Sequence, residues 1–163
     1  VSSILPIVEV IPDPELELDD FLNFVIAEFK EYKTLSLSEV GADNFVAPNE
    51  GIQAVRSSVH NLFGRDRVFE RPAKWVAYIQ RENLTHVHFD REEQWHSDTP
   101  QWNCTSCESI VYSAFRMPDG RFVFVIHEFL FLEQTDNAHD NYEESDMDYY
   151  IRNAEYHRNQ HSA

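Results

Sequence analysis

The sequence predicts an α+β fold, a small antiparallel sheet with two N-terminal helices and a C-terminal helix, on three observations. Phe21, Val25, Phe29 and Tyr32 recur on one helical stripe near the N-terminus. Ile110–Phe115 and Arg121–Leu132 read as two strands joined through Met117-Pro118-Asp119-Gly120. Met147, Tyr150, Ile151 and Ala154 then mark the inner face of a closing helix. With 163 residues, 42% of them hydrophobic, the chain has material for one domain over 1–163, of which 1–12 form an N-terminal strand or arm.

Taken in order, the β-branched stretch of residues 4–11 reads as a first strand. Asp13-Pro14 reads as an N-cap and first helical residue, opening a helix that runs to Lys33. Acids fill its first turns and Lys30 and Lys33 its last, as the helix dipole favours. Gly41, Asn44, Pro48 and Gly51 punctuate a loop over 34–51. Ile52, Val55, Val59, Leu62 and Phe63 recur at helical spacing, with Gly64 as the stop. Lys74–Gln80 and Leu84–Phe89 read as strands, and Trp95–Asn103 as a loop. Arg121–Leu132 is apolar at nearly every position, which predicts burial on both faces. Asp140 to about His161 is the terminal helix.

The net charge of −16 sets the main constraint on function. Such a surface repels phosphate backbones at long range, so generic nucleic-acid affinity is expected to be weak. The charge is polarised, however. Arg56, Arg65, Arg67, Arg71, Lys74, Arg81 and Arg91 account for seven of the thirteen basic residues, while the acids gather in 9–31 and 133–155. No apolar run reaches the roughly 18 residues of a membrane span, and the N-terminus carries no signal-peptide pattern. Two cysteines are too few for a disulfide scaffold, so a cytoplasmic protein is expected.

Several short motifs keep a common order. Phe29-Lys30-Glu31-Tyr32-Lys33 ends a helix, Phe63-Gly64-Arg65-Asp66 makes a turn, and His86-Val87-His88 lies on a strand. Thr105-Ser106 leads to Ile110-Val111-Tyr112; Ala138-His139, Met147, Ala154-Glu155 and Arg158 follow. In this combination, from Pro14 to Arg158 with one insertion between positions 34 and 60, the chain resembles the YafO family of toxin–antitoxin toxins. Cys107 stands where that family's pattern has an aspartate. The resemblance implies a compact RelE/ParE-like fold and a ribosome-dependent mRNA endonuclease that inhibits translation. It also implies the ribosome and translated mRNA as partners, and neutralisation by a cognate antitoxin.

Metal-free RNA cleavage needs a base near the 2′-OH, a cation on the phosphate and an acid for the leaving oxygen, and no cofactor. His86 and His88, two apart on a strand, point to one face and suit base and acid; Arg65 or Arg81 would hold phosphate. The competing reading is two half-exposed histidines bonded at a sheet edge. Tyr112 completes the candidate catalytic set with His86, His88 and Arg65, by stacking on a base or bonding a phosphate; its alternative is packing. Asp66 belongs either to a phosphate-clamping turn with Arg65 or to a salt bridge. His139 and Arg158, flanking the terminal helix, either reach the same cleft or cap the surface.

Cys104-x-x-Cys107 is half of a zinc site that His86, His88 or His96 would complete; the matching second pair is missing, and two ordinary thiols are the plainer reading. Trp75 is assigned to the core, and Trp95 and Trp102 to a polar loop suited to a lid or to antitoxin contact. The acidic composition and Cys107 leave a second function open: a non-enzymatic acidic module binding a basic protein, as a catalytically lost toxin-like domain or a nucleic-acid mimic.

Overall fold

A computed structural model describes residues 6–133 and 135–162. Five strands, β1 (Val8–Pro12), β2 (Phe63–Val68), β3 (Thr85–Phe89), β4 (Ser109–Arg116) and β5 (Phe122–Leu130), form one sheet in the order β1-β5-β4-β3-β2. The β1–β5 pair is parallel and the other three pairs are antiparallel. Helix α1 (Asp20–Val40) covers one face, and α3 (Val76–Glu82) with α4 (Glu144–Ser162) covers the other; α2 (Glu50–Val55) lies between α1 and β2 in the chain. The fold is α+β, with a mostly antiparallel sheet and helices at its two ends.

Strand alternation builds two cores. On the α1 face, Val87, Phe89, Ile110, Tyr112, Phe124 and Ile126 meet Leu22, Val25, Phe29 and Tyr32. On the opposite face, Val111, Leu84 and Leu130 meet Ile79 of α3 and Met147, Tyr150 and Ile151 of α4. β5 is buried almost throughout, as its unbroken apolar run predicts. Its register against β4 slips between Val111 and Tyr112, where Glu128 and then Ile126 are the partners, so His127 is the extra residue of a bulge. The β4–β5 turn closes where expected: Met117 N–H bonds Arg121 O at 2.8 Å, and Gly120 adopts φ +92°.

Several expected elements differ, among them the terminal helix α4, which starts at Glu144 after a 3₁₀ turn at Ala138–Asn141 and not at Asp140. β1 begins at Val8, and residues 4 and 5 lie outside the described residues. The first helix starts at Asp20, capped by the Asp19 carboxylate on Leu22 N–H at 2.8 Å. Asp13 does not cap it, because its carboxylate accepts from Tyr149 Oη at 3.0 Å and Asn153 Nδ2 at 2.7 Å on α4. The helix continues past Lys33 to Val40, where Leu37 is buried in the α1-side core and the Thr34 and Ser38 hydroxyls bond back to Lys30 O and Thr34 O at 2.8 and 2.9 Å.

The second helix stops at Val55, and Phe63-Gly64 belong to β2. Gly64 is a point of close approach and not a helix stop: a Cβ there would lie 2.2 Å from Cys104 O and 2.6 Å from Trp95 Cη2. Lys74–Gln80 is helical, a 3₁₀ turn at Ala73–Trp75 leading into α3, and Trp75 is half-buried at its start. A seven-residue segment with one deeply buried apolar residue, Ile79, fits either periodicity, and docking against α4 decides it.

Candidate functional site

The tetrapeptide Phe63-Gly64-Arg65-Asp66 spans a register shift in the β2–β3 pair, so Phe63 and Asp66, three apart, share one face. Phe63 enters the α1-side core, and Gly64 lets residues 101–104 cross the strand, where Arg65 N–H bonds Cys104 O at 2.8 Å. Asp66 turns toward α1, whereas Arg65 and Arg67 turn to the opposite face. β3 lies alongside with Arg67 paired to His86 and Asp66 to Val87, so His86 and His88 share the arginine face. A short 3₁₀ turn, Ala138–Asn141, brings in His139; Ala138 N–H is bonded to Cys107 O at 2.8 Å.

These groups line one cavity of about 340 Å³: His86, His88 and His139 with Arg65, Arg67 and Arg71, and one acid, Glu70. Ring centroids of His86 and His88 are 5.8 Å apart, and those of His88 and His139 are 5.6 Å apart. Against the net charge of the chain, this cavity is locally basic. Glu70 offsets Arg67 through a 2.7 Å ion pair.

Burial holds both strand histidines neutral at physiological pH. The His86 imidazole is pushed down to about 3 by burial, reinforced by His88, His139, Arg67 and Arg65. It stacks on Phe69 at 4.4 Å, and its Nδ1 has no hydrogen-bond partner among the described residues. His88 is pushed down to about 4, again by burial first, with His139 and Arg65 adding to it and a backbone bond to Ser106 opposing it. Ser106 meets His88 Nδ1 with both backbone groups, its N–H at 2.9 Å and its C=O at 3.0 Å. One tautomer accepts from the N–H and the other donates to the C=O, so the two peptide groups flanking Ser106 support either.

The remaining expected residues lie elsewhere. Tyr112 is on the α1 face and does not join the histidines, because it stands one position out of phase with them across the β3–β4 pair. It belongs with Asp66 to a buried polar cluster. Lys33 Nζ donates to Asp66 Oδ2, Tyr112 Oη and Val46 O, each at 2.6 Å, and Tyr32 Oη donates to Asp66 at 2.8 Å. Burial draws the Lys33 ammonium down despite Asp66, and raises both tyrosines, with Asp66 adding to it. Gln53 closes the outer edge of β2, donating to Asp66 O at 2.7 Å and accepting from Asp66 N–H at 3.0 Å. Asp66 is therefore a support for the flanking arginines, on the far side of the sheet from the cavity.

Arg81 and Arg158 converge on Glu82 at the α3–α4 seam, at 2.6 and 2.8 Å, and neither lines the cavity. Cys104 is buried and Cys107 exposed, and neither joins a group of three potential metal ligands among the described residues. Arg67, Arg71 and Tyr142 are cavity residues that the sequence reading missed. The signal for Arg67 was present as Arg-x-Arg, but a helix assigned up to Phe63 hid the strand alternation. Among the described residues no helix is long and apolar enough to cross a membrane.

No curated protein and no solved structure matches the chain. The family profile described as "Toxin YafO, type II toxin-antitoxin system" matches residues 31–159. That span takes in Lys33, the β2 tetrapeptide, the paired histidines, His139 and nearly all of α4. On this match, the chain belongs to the YafO family of type II toxin–antitoxin toxins.

Proposed function

We propose that this toxin is a ribosome-dependent mRNA endonuclease, acting in the cytoplasm to inhibit translation and neutralised by a cognate antitoxin. The observation that carries the reading is the cavity itself, with three imidazoles and three guanidinium groups converging on a chain of net charge −16. Arg65 and Arg67 hold the scissile phosphate. Neutral His88, with Nδ1–H on Ser106 O, takes the 2′-OH proton at Nε2; the 2′ oxygen attacks phosphorus and the bond to the 5′ oxygen breaks. His139, across the cavity, delivers a proton to that leaving oxygen, giving a cyclic phosphate and a 5′-hydroxyl end. His86 packs behind His88 and shapes the pocket wall.

The acidic surface supports substrate delivery by the ribosome, which would position mRNA that the free protein repels. A reconstituted translation reaction with 5′-end mapping tests this. Wild-type protein gives new 5′-hydroxyl ends only on translated mRNA, and His88→Gln lowers the cleavage rate by about 10²-fold or more. Intact mRNA in the presence of excess folded wild-type protein overturns the assignment. The second reading, an acidic module without catalysis, is favoured by the deep burial of His86; it predicts capture of a basic protein without cleavage.

A further inference from the structure

Beside the histidine cavity is a second one of about 190 Å³, lined by Pro48, Asn49, Glu50 and Trp102. Arg67 and Glu70 line both, so the two cavities share a wall. We propose that the smaller cavity is a nucleobase subsite next to the scissile phosphate, and that it selects guanine. The inference rests on the endonuclease reading for its place in the reaction, and on the geometry below for its ligand.

The volume falls below the roughly 300–1,000 Å³ of pockets that hold whole drug-sized ligands, and suits one planar ring system. Its aromatic wall is Trp102, over which the Arg65 guanidinium lies at 4.5 Å and that of Arg67 at 5.7 Å from the ring centroid. Arg65 Nε also donates to Trp102 O at 2.6 Å, so indole and guanidinium are fixed together. A flat aromatic beside a guanidinium is the surface on which single-stranded bases stack. Arg67 reaches both cavities, so a phosphate held there puts the attached nucleotide within reach of the second.

The polar groups of this cavity select the base. Glu70 holds Arg67 Nη2 through Oε2 at 2.7 Å, which leaves its other oxygen to accept. Glu50 is exposed, and its carboxylate makes no side-chain hydrogen bond among the described residues. Carboxylates only accept. Guanine presents two neighbouring donors on its Watson–Crick edge, the N1–H and the N2 amino group. Adenine and cytosine set a ring acceptor beside their amino donor, and uracil sets two carbonyls around one N–H. Of the four bases only guanine offers two adjacent donors to these carboxylates, while its O6 accepts from the Arg67 guanidinium or the Asn49 amide that line the same cavity.

The indole N–H resonance of Trp102 in the ¹⁵N-labelled full chain, assigned with Trp102→Phe, reads binding without the ribosome. Titration with guanosine monophosphate is expected to shift it at about tenfold lower concentration than adenosine monophosphate. Glu50→Gln, an exposed change that presents both a donor and an acceptor, is expected to abolish that difference. Equal response to both nucleotides, or a guanine preference retained in Glu50→Gln, overturns the subsite. End mapping on translated mRNA then separates the two ideas. Cleavage by the wild type without a guanine at either flank counts against the subsite alone, and guanosine binding without cleavage counts against the endonuclease reading alone.

Discussion

His127 sits at the β5 bulge with no exposed surface, its Nε2 2.8 Å from Ser113 Oγ and its Nδ1 unpartnered among the described residues. Burial, with His157 adding and Asp13 opposing, pushes it down to about 3. Folding therefore favours the neutral ring. Its contribution is fully present above the unfolded value near 6.5 and is lost as pH falls from there toward about 3, at up to about 1.4 kcal/mol per pH unit. His86, at about 3, and His88, at about 4, act in the same direction. Urea unfolding between pH 7 and 5 is expected to show wild-type stability falling with acidification more steeply than that of His127→Phe. Coincident slopes would mean that the buried ring protonates at no cost. At this scale the site was half legible. The two-residue spacing of His86 and His88 gives a common face, and of the two alternatives left open for His139 the structure has the one in which it reaches their cavity. Tyr112, by contrast, was grouped with them although packing was its plainer reading, because nothing local says that a buried lysine waits for its hydroxyl.

The element that organises the site is β2, an edge strand whose outer hydrogen-bonding groups at Asp66 are filled by the Gln53 amide. It is held from below by the Lys33 cluster and crossed from above by residues 101–104 at Gly64. Gly64→Ala is expected to cost about 2–4 kcal/mol, because its Cβ meets the backbone carbonyl of Cys104 and not a flexible side chain. Thermal unfolding measures the loss, and growth arrest is expected to fall with it. β2 was also the element hardest to foresee. Its apolar residues continue a helical spacing begun at Ile52, and glycine after such a run imitates a stop. The hairpin of β4 and β5 and the inner face of α4 were legible, because long apolar periodicity and a Pro-Asp-Gly turn are local signals. The true start of α1 was not, since the carboxylate of Asp13 is claimed by α4, more than a hundred residues away.

For the whole molecule, the question is how a protein of net charge −16 presents a basic cavity. Arg81, Arg121 and Arg158 are tied to carboxylates, so most cationic potential on the surface is spent locally. The histidine cavity, with three arginines against Glu70, is the exception described above. Three phosphate contacts by themselves would give a salt slope near −2 on single-stranded RNA. The global field repels the same RNA, and salt screens that repulsion, so fluorescence anisotropy with a short oligonucleotide is expected to show a distinctly shallower slope. A slope of −2 or steeper would show that the cavity outweighs the field. Because Phe63, Gly64 and Asp66 hold the backbone that carries Arg65, the proposed phosphate-binding role of Arg65 and a sound fold are inherited through one tetrapeptide. A host lineage that escapes poisoning has many more routes through collapse of the protein than through quiet loss of its guanidinium. Decayed copies of such a gene will therefore more often encode unstable chains than stable, silent ones.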